Sequence, residues 1–404
     1  MKILVINCGS SSIKYQLFEM NEEVVLASGL VEKIGTESAI IKHQVPGLEE
    51  KIITTEILDH RVGMKKVLDM LMDPEEGVIS SAEEVTAVGH RVVHGGEDFS
   101  GSVIINEDVR QALRRNIDLA PLHNPPNLLG IDAAQEQLPH ALHVGVFDTA
   151  FHQTMPDYAY MYAIPTVLYR KYKIRRYGFH GTSHKYVSQK AAEFVGKPLE
   201  DLKIISCHIG NGASITAVKY GKSVDTSMGM TPLEGLMMGT RCGDIDPAIV
   251  PFVITKEDLT LSEVNSMMNR HSGLLGVSGV SGDMREVTEA MEEGNDRARL
   301  AIDMYVYKIK KTIGAYVAAM NGVDIILFTA GVGENASMIR EMVCEGLTCF
   351  GVELDHALNG ERSKEVRRIS TPGSKVDVLV VPTNEELMIA METKKLAEQG
   401  EFVV

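Results

Sequence analysis

The sequence predicts an α/β protein made of two similar halves, and three observations support this prediction. First, residues 3–14 (ILVINCGSSSIK) and 204–215 (IISCHIGNGASI) share one pattern: an apolar β-prone run, a turn of small residues and a second β-prone run. Second, segments with strand and helix periodicity alternate along both halves. Third, 404 residues suffice for two or three domains, and no segment of disordered composition separates the halves.

The first half begins with apolar runs over residues 1–30 that are typical of a β-meander. Apolar residues then recur at helical spacing over 57–72, and a β-prone run covers 85–93. Residues 117–130 hold three prolines and are expected to form a loop that enters a helix. The run 143–148 has the composition of a buried strand and ends in an acidic residue, Asp148.

The second half begins near residue 151 and repeats this order of elements. The patterns predict a strand, a hairpin, a long helix and two further strands at 204–207, 217–222, 297–320, 325–329 and 376–381. The fourth of these opens into a glycine-bearing turn over 330–335. Thr383 and Glu386 have the spacing of a capping box, which predicts a closing helix to about residue 398.

These elements set the expected domain boundaries. We expect an N-terminal lobe over residues 1–150 and a C-terminal lobe over residues 151–384. The closing helix, 385–398, is expected to pack back on the N-terminal lobe and make it discontinuous. Because no flexible linker composition separates the lobes, a hinge is expected between them rather than a tether.

Composition excludes several classes of protein. The net charge of −15 argues against a general binder of nucleic acid or of anionic membranes. No run approaches the roughly 18–20 apolar residues of a membrane span, and the apolar run at the N-terminus is too short for a signal peptide. The five cysteines have no metal-site spacing, which favours reduced thiols in a cytoplasmic protein.

The two recurring turns are suited to phosphate. Small residues let backbone N–H groups approach an anion, and serine and asparagine side chains add hydrogen-bond donors. Two such turns on similar half-chains suggest one nucleotide held between two lobes. The segment 331–335 follows a strand and is a candidate third wall. The chain has neither a P-loop nor a glycine fingerprint opening a βαβ unit, so a P-loop or Rossmann enzyme is not expected.

Several motifs together resemble those of the acetate kinase family. They are VINCGSSSIKY (5–15), RRYGFHGTSH (175–184), HIGNG (208–212), MMGTRCGDIDP (237–247), DMR (283–285) and PTNEE (382–386). The resemblance runs from residue 1 to about 398, with Cys8 standing where alanine is commoner. It implies the fold of the acetate and sugar kinase, chaperone ATPase and actin superfamily. In that fold, two ribonuclease H-like lobes with a duplicated βββαβαβα core surround a nucleotide-binding cleft.

The resemblance implies four catalytic residues: Arg91, Asp148, His180 and Arg241. Guanidinium groups match the geometry of carboxylate and phosphate, so Arg91 and Arg241 are expected on the acetate carboxylate and the transferred phosphoryl group. His180 is expected to donate a hydrogen bond to a γ-phosphate oxygen. Acetate is already ionised at neutral pH, since carboxylic acids have pKa values of about 4–5. Asp148 is therefore expected to orient an arginine or a metal-bound water rather than to accept a proton.

The remaining site residues implied by the resemblance fall into three groups. Substrate-binding residues, in addition to Arg91, are Val93, Leu122, His123, Phe179 and Pro232, of which the apolar ones form a small acetate pocket. Nucleotide-binding residues are Lys14, His208, Ile209, Gly210, Asn211, Gly212, Asp283, Met284, Arg285, Gly331, Val332, Gly333, Glu334 and Asn335. Mg²⁺, or Mn²⁺ in its place, is expected at Asn7 and Glu385, because magnesium needs few protein oxygens beside phosphate and water. Glu386 is assigned to the helix cap.

The resemblance thus implies a Mg²⁺-dependent, reversible phosphoryl transfer from ATP to acetate that gives acetyl phosphate and ADP. Transfer is expected to be direct and in line, and the protein is expected to be a homodimer. A propionate or butyrate kinase on the same scaffold is the near alternative. A nucleotide-switched ATPase, similar to chaperones or actin, is the remote one, because it would leave Arg91, His180 and Arg241 without a task.

Overall fold

The protein is built on two β-sheets. A computed structural model describes residues 1–400. The strands are β1 (Lys2–Gly9), β2 (Ser12–Glu19), β3 (Val24–Glu32), β4 (Thr36–Gln44), β5 (Lys51–Ile57), β6 (Val85–Val92), β7 (Val103–Ile104), β8 (Leu142–Phe147), β9 (Lys203–Ile209), β10 (Ala213–Lys219), β11 (Lys222–Thr226), β12 (Ile325–Thr329), β13 (Arg367–Arg368) and β14 (Asp377–Val380). The α-helices are α1 (His60–Leu71), α2 (Glu107–Arg115), α3 (Asn124–Gln137), α4 (Asp157–Tyr160), α5 (Thr166–Tyr172), α6 (Gly181–Val195), α7 (Ile249–Glu257), α8 (Leu261–Arg270), α9 (Gly273–Ser278), α10 (Met284–Glu292), α11 (Asp296–Met320), α12 (Ala330–Asn335), α13 (Ser337–Glu345), α14 (His356–Gly360) and α15 (Glu385–Gly400).

The chain divides into two compact units. The first unit joins Met1–Phe151 to the chain from Asn384 onward, and the second is His152–Thr383. Each unit contains one of the two sheets. None of the helices within residues 1–400 is long and apolar enough to cross a membrane.

The first unit is built on an eight-stranded sheet with the order β5-β4-β3-β2-β1-β6-β8-β7. β1 pairs antiparallel with β2 and parallel with β6, which in turn pairs parallel with β8. Alternate side chains of β1 enter two different clusters: Leu4 and Ile6 pack with α1, whereas Ile3 and Val5 pack with α15. Because both faces of β1 are covered, its sequence is a continuous apolar run rather than an alternating one.

The second unit repeats this arrangement in a six-stranded sheet with the order β11-β10-β9-β12-β14-β13. Its first five strands correspond in order and direction to β3, β2, β1, β6 and β8. The strand–turn–strand repeat found in the sequence therefore marks the first hairpin of each sheet, and the predicted α/β class with a duplicated core is confirmed. The long helix α11 buries a stripe of apolar residues that includes Ile302, Val306, Ile309 and Ile313.

The segment 117–130 is a loop that enters a helix, as predicted: α3 begins at Asn124, and two prolines occupy its first turn, where their missing N–H groups cost no hydrogen bond. Two other local predictions were wrong. The segment 330–335 is the short helix α12, not an open turn, and it begins at Ala330 with a φ of 65°. The predicted capping box of α15 does not form. Instead, Asn384 Oδ1 accepts the N–H of Leu387 at 2.9 Å.

Helix α15 covers one face of the first sheet. Ile389 and Ala390 pack with Ile3 and Val5 of β1 and with apolar residues of β8. The helix approaches β6 most closely at Gly89, where an added Cβ would lie 2.5 Å from Thr393 Oγ1 and 2.7 Å from Ile389 Cγ2. Only glycine fits between this strand and the helix without displacing one of them.

Candidate active site

In the first unit, the ends of β6 and β8 bring an arginine and an aspartate together. Arg91 lies in β6 and Asp148 directly follows β8, so the parallel pairing places both at one edge of the sheet. The guanidinium donates two hydrogen bonds to the carboxylate, Nε to Oδ1 at 3.1 Å and Nη2 to Oδ2 at 2.6 Å. Asp148 is only 2% exposed, and its charge raises the pKa of Arg91. The pair is thus charged and held in one orientation.

A narrow cleft of about 20 Å³ beside this pair is lined by the other charged residues predicted for the first unit. It is lined by Val5, Asn7, Lys14, Arg91, Glu385, Glu386 and Ile389. Lys14 lies opposite Asn7 in the β1–β2 hairpin and forms an ion pair with Glu386. The pKa of Glu385 is raised to about 7, chiefly by burial and also by the charges of Asp148 and Glu386, while Arg91 and Lys14 oppose the increase. The carboxylates of this region outnumber its cations.

The assignment of Glu386 to a helix cap was wrong, since its carboxylate pairs with Lys14. The structure places Asn7 and Glu385 on the same cleft, as predicted magnesium ligands should be. An amide oxygen, a carboxylate oxygen and surplus negative charge fit a hard divalent cation that also takes phosphate and water oxygens. Within residues 1–400, no cluster of three or more His, Cys, Asp or Glu side chains could hold a metal by itself.

The predicted acetate-pocket residues are distributed over both units. In the first unit, Val93 is buried and its N–H donates to Asn127 Oδ1 at 3.0 Å. Leu122 and His123 precede α3, and Leu122 is 73% exposed. Phe179 and Pro232 belong to the second unit, where Phe179 is buried.

In the second unit, His180 and His208 form a stacked pair. Their ring centroids lie 4.1 Å apart. His180 precedes α6 with a φ of 56°, a left-handed conformation that is rare for a residue with a side chain, and its Nδ1 lies 2.9 Å from Ser214 Oγ. His208 Nδ1 lies 2.8 Å from Ser183 Oγ. Hydroxyl groups therefore fix the orientation of both rings.

Two further histidines support this pair, and the sequence analysis gave neither of them a role. His184 bonds Ser214 Oγ through Nε2 and Ser206 Oγ through Nδ1, both at 2.8 Å. His152 bonds Ser223 Oγ and the carbonyl oxygen of Phe179, both at 2.9 Å. Burial lowers the pKa of His152 to about 4 and that of His184 well below its usual range, so both rings are neutral. The four-residue spacing of His180 and His184 was a signal that could have been used.

Arg241 differs from Arg91 in having no carboxylate partner within residues 1–400. Its Nη1 donates to the carbonyl oxygen of Pro232 at 3.2 Å and lies 3.7 Å from Met238 Sδ. Burial lowers the pKa of Arg241, although a guanidinium remains protonated in proteins. At Gly212, in the second phosphate turn, an added Cβ would lie 3.4 Å from Arg241 Nη1 and 3.7 Å from His180 Nε2. The structure thus brings a glycine turn, a histidine and an unneutralised arginine together.

An open groove with about 2230 Å³ of empty space lies in the same unit. Its lining includes the predicted nucleotide residues Gly210, Asn211, Asp283, Met284, Arg285, Gly331, Val332 and Asn335. Residues that the sequence analysis missed also line it, among them Thr240, Thr288, Glu289, Tyr305, Ser337 and Arg362. Asp283 caps α10 and holds the 86%-exposed Arg285 with two hydrogen bonds.

The remaining predicted nucleotide residues lie outside the lining of this groove. Lys14 belongs to the first unit, and His208 and Gly212 lie with His180. Ile209 and Gly333 are buried. Glu334 Oε1 accepts the N–H groups of Ala330 at 2.8 Å and Thr383 at 3.1 Å, so this carboxylate secures the start of α12.

Comparisons with known proteins agree over nearly the whole chain. The family model described as the Acetokinase family matches residues 2–391. The acetate kinase of Alkaliphilus metalliredigens is 59% identical over 396 residues, which cover 98% of this chain and all of that protein. The crystal structure of Porphyromonas gingivalis acetate kinase has a TM-score of 0.95 at 50% identity, covering 98% of this chain and 99% of that one. A propionate kinase from Francisella tularensis has a TM-score of 0.90 at 42% identity, with the same coverage.

Proposed function

This chain belongs to the acetokinase family, and from that premise we propose that it transfers a phosphoryl group reversibly between ATP and acetate, giving acetyl phosphate and ADP. It is a phosphotransferase that acts on a carboxyl group. The placement of Arg241 carries the proposal: this guanidinium, which has no carboxylate partner in the described part of the chain, lies beside His180 and a glycine turn. Such a site is ready for the negative charge of a phosphoryl group.

The chemistry needs no general base. Acetate reaches the protein as a carboxylate, because its pKa of about 4–5 lies well below neutral pH. We assign Arg91 to hold this carboxylate and the transferred group, and Asp148 to hold Arg91. The two hydrogen bonds of the pair fix the plane of the guanidinium before a substrate binds. Asp148 acts in this scheme by orientation and charge, not by proton transfer.

Arg241 and His180 are assigned to the oxygens of the phosphoryl group. Charge on these equatorial oxygens must be neutralised during direct in-line transfer. The Ser214 hydroxyl sets the ring orientation of His180 through Nδ1 and is itself held by His184. Because Gly212 has no side chain, nothing separates this turn from Arg241 and His180. The groove residues around Asn211, Asp283 and Val332 are assigned to the nucleotide.

Magnesium is proposed at Asn7 and Glu385, with Mn²⁺ able to replace it. The bound cation would supply charge neutralisation for the phosphate oxygens. The excess of carboxylates and the raised pKa of Glu385 support a site for positive charge there. We expect Asn7→Ala to raise the Mg²⁺ concentration that gives half-maximal turnover by about tenfold, with the KM for acetate unchanged. An unaltered Mg²⁺ titration would remove Asn7 from the site.

Propionate is the second candidate substrate, because the similar Francisella protein is a propionate kinase. The proposed pocket of Val93, Leu122, Phe179 and Pro232 is apolar, and one methylene changes discrimination by only about 1–3 kcal/mol. We therefore expect propionate to be a poorer but measurable substrate.

A coupled assay tests these proposals. ADP formation from Mg-ATP is followed with acetate, propionate, butyrate or no acid, and hydroxylamine traps any acyl phosphate. Acid-dependent turnover that prefers acetate is expected. Preference for a longer acid would make the protein a propionate or butyrate kinase. ADP release that ignores the acid, with nothing trapped, would favour a nucleotide-switched ATPase instead.

Two further proposals concern the protein in the cell. We propose a homodimer, supported by large exposed apolar side chains in the second unit such as Tyr158, Val167, Phe252 and Tyr307. Sedimentation equilibrium at the mass of a single chain would contradict it.

We also propose a cytoplasmic location, supported by five cysteines that form no disulfide. Fractionation of the source cells would test the location.

A further inference from the structure

Three side chains of the second unit form a cluster that the proposed chemistry does not use. Arg176 Nη2 donates to Glu234 Oε1 at 2.6 Å. The other carboxylate oxygen of Glu234 accepts the hydroxyl of Tyr162. We call Arg176, Glu234 and Tyr162 the clamp. Arg176 and Glu234 are 18% and 31% exposed, so their ion pair is largely shielded from water.

The clamp forms hydrogen bonds with the backbone of the segment 226–230, which is mainly a loop. Nη1 of Arg176 donates to three consecutive backbone carbonyls, those of Thr226, Ser227 and Met228, at 3.0, 3.2 and 3.1 Å. The Tyr162 oxygen accepts the N–H of Met230 at 2.9 Å. Gly229 lies against Glu234 and Tyr162 with no room for a Cβ. The backbone from 226 to 230 is therefore fixed by side chains of the clamp.

This loop connects two predicted catalytic residues. On one side, the carbonyl of Gly229 accepts the N–H groups of Tyr177 and Gly178, both at 3.1 Å, in the segment that leads to His180. On the other side, the loop continues to Pro232, whose carbonyl oxygen accepts Arg241 Nη1 at 3.2 Å. One rigid loop thus sets the backbone before His180 and the acceptor that orients Arg241.

The composition of the clamp favours positioning over stability. A shielded ion pair gains little net free energy, because the cost of removing both charges from water offsets their attraction. The buried Nε of Arg176 has no hydrogen-bond partner among residues 1–400, so the ion pair is a poor source of stability. What the guanidinium provides is a planar fork that serves three carbonyls and one carboxylate at once. A lysine ammonium cannot reproduce that geometry.

We propose that Arg176, supported by Glu234 and Tyr162, is a positioning residue that aligns Arg241 and His180 for phosphoryl transfer. The inference rests on the proposed function. It assigns the clamp no contact with acetate or ATP. Its effect is therefore expected on turnover more than on substrate binding, since displacement of a catalytic group by about 1 Å can cost on the order of 100-fold in rate.

The test is a double-mutant cycle in the coupled assay, comparing wild type, Arg176→Lys, Arg241→Lys and the double variant. Arg176→Lys should lower kcat by about 10- to 100-fold and change the KM for ATP by less than about threefold. In the Arg241→Lys background the same substitution should lower kcat by less than about threefold, because the group that it displaces is already impaired. Arg110→Lys in the first unit is the matched control. Arg110 is 23% exposed and pairs with Asp132, so its loss tests an ordinary ion pair.

Equal kcat losses in both backgrounds, or a kcat change no larger than that of Arg110→Lys, would overturn the proposal. If Arg176→Lys does not fold, Tyr162→Phe replaces it in the cycle. That change removes only the hydroxyl between Glu234 and Met230, and the same two outcomes decide. If the wild-type protein forms no ADP in response to acetate, both the proposed function and the positioning role of the clamp are wrong. An active wild type with an unaffected clamp variant overturns the clamp alone.

Discussion

Arg91 and Arg241 are both partly buried guanidinium groups, but they differ in what neutralises them. Asp148 balances the charge of Arg91 through two hydrogen bonds. Within residues 1–400, Arg241 donates only to a carbonyl oxygen and a thioether sulfur, and burial lowers its pKa. In the absence of an anion, the folded protein therefore carries an uncompensated free-energy cost for removing the Arg241 charge from water. An anion that binds there removes this cost, which links the arginine to binding rather than to folding.

The first prediction concerns this difference. Arg241→Ala should lower kcat by at least about 100-fold, in the range found when a donor to transition-state charge is removed. Its melting temperature should not fall, because the variant loses a charge that had no carboxylate partner. Kinetics and thermal unfolding of the same preparation check both outcomes.

Arg285→Ala is the contrasting variant for that prediction. Arg285 is paired with Asp283 and exposed at the groove, so its loss should mainly raise the KM for ATP. An Arg241→Ala protein with near-normal turnover would contradict the role assigned to Arg241.

The second prediction concerns His152, a buried neutral ring. Its pKa of about 4 in the folded protein lies below the value of about 6.5 for an unfolded chain, so the unfolded state binds the proton first as the pH falls. The contribution of His152 to stability is complete above pH 6.5 and is lost as the pH falls from 6.5 towards 4. Between pH 7 and pH 5 this loss should be about 2 kcal/mol.

Urea unfolding of the wild type and His152→Gln at both pH values measures this effect. The wild type should lose more stability than the variant on going from pH 7 to pH 5. An identical slope in the His152 variant would mean that another buried group causes the acid sensitivity.

At the scale of residues, contiguous motifs were predictable and distant partners were not. Gly210, Asn211, Asp283 and Val332 do share one groove, although they come from three separate segments. The partner of Lys14 was missed because Glu386 lies 372 residues away and had a plausible local role as a cap. Local spacing cannot reveal that Asn384 caps the helix instead, so that Glu386 is available to pair with Lys14 of β2.

At the scale of elements, strands and long helices followed their periodicity, whereas short helices depended on tertiary contacts. The helix α12 contains two glycines in six residues, so its own propensity is poor. Buried Arg340 supports it by donating to the carbonyls of Gly333 and Glu334 at 2.9 and 3.0 Å. These carbonyls lie near the end of the helix and would otherwise lack a donor. A sequence pattern could not show that an arginine of the next helix turns back to satisfy them.

The third prediction tests the contact between β6 and α15. Gly89→Ala would place a methyl group 2.5 Å from Thr393 Oγ1 and 2.7 Å from Ile389 Cγ2, so the helix must shift. Such overpacking should cost about 1–3 kcal/mol of stability. Gly145→Ala on the neighbouring strand β8 is the matched control, because its methyl group would lie 3.4 Å from the nearest atom, at Phe147. Thermal unfolding of both variants should show a loss at Gly89 that clearly exceeds any at Gly145.

At the scale of the whole molecule, each sheet is covered by a helix that does not lie between two of its own strands in the sequence. The second sheet is covered by α6, which precedes its first strand, and the first sheet is covered by α15, which follows the last strand of the second. The duplicated strand order could be predicted from the internal repeat. The extra strands β4 and β5 and the helices between β11 and α11 could not, because they occur in only one unit and have no counterpart in the repeat.

The fourth prediction follows from the position of α15. A chain that ends at Thr383 would lack the helix that covers Ile3, Val5, Val144 and Val146. We expect it to aggregate or to bind a hydrophobic dye strongly, because these side chains would form a continuous exposed apolar face. Adding the segment 384–404 as a separate peptide should reduce the dye signal. A soluble truncated chain that binds no dye would show that α15 is dispensable for the first sheet.

The location of α15 also fixes the order in which the protein can be completed on the ribosome. The strands of the first sheet leave the ribosome before the second unit, and the helix that closes their core follows the second unit. At roughly 5–20 residues per second, synthesis from the end of β8 at Phe147 to α15 takes roughly 12–50 s, during which the apolar face of that sheet is uncovered. Nascent chains are therefore expected to expose this face until α15 has emerged, and the first unit matures only after the second has emerged.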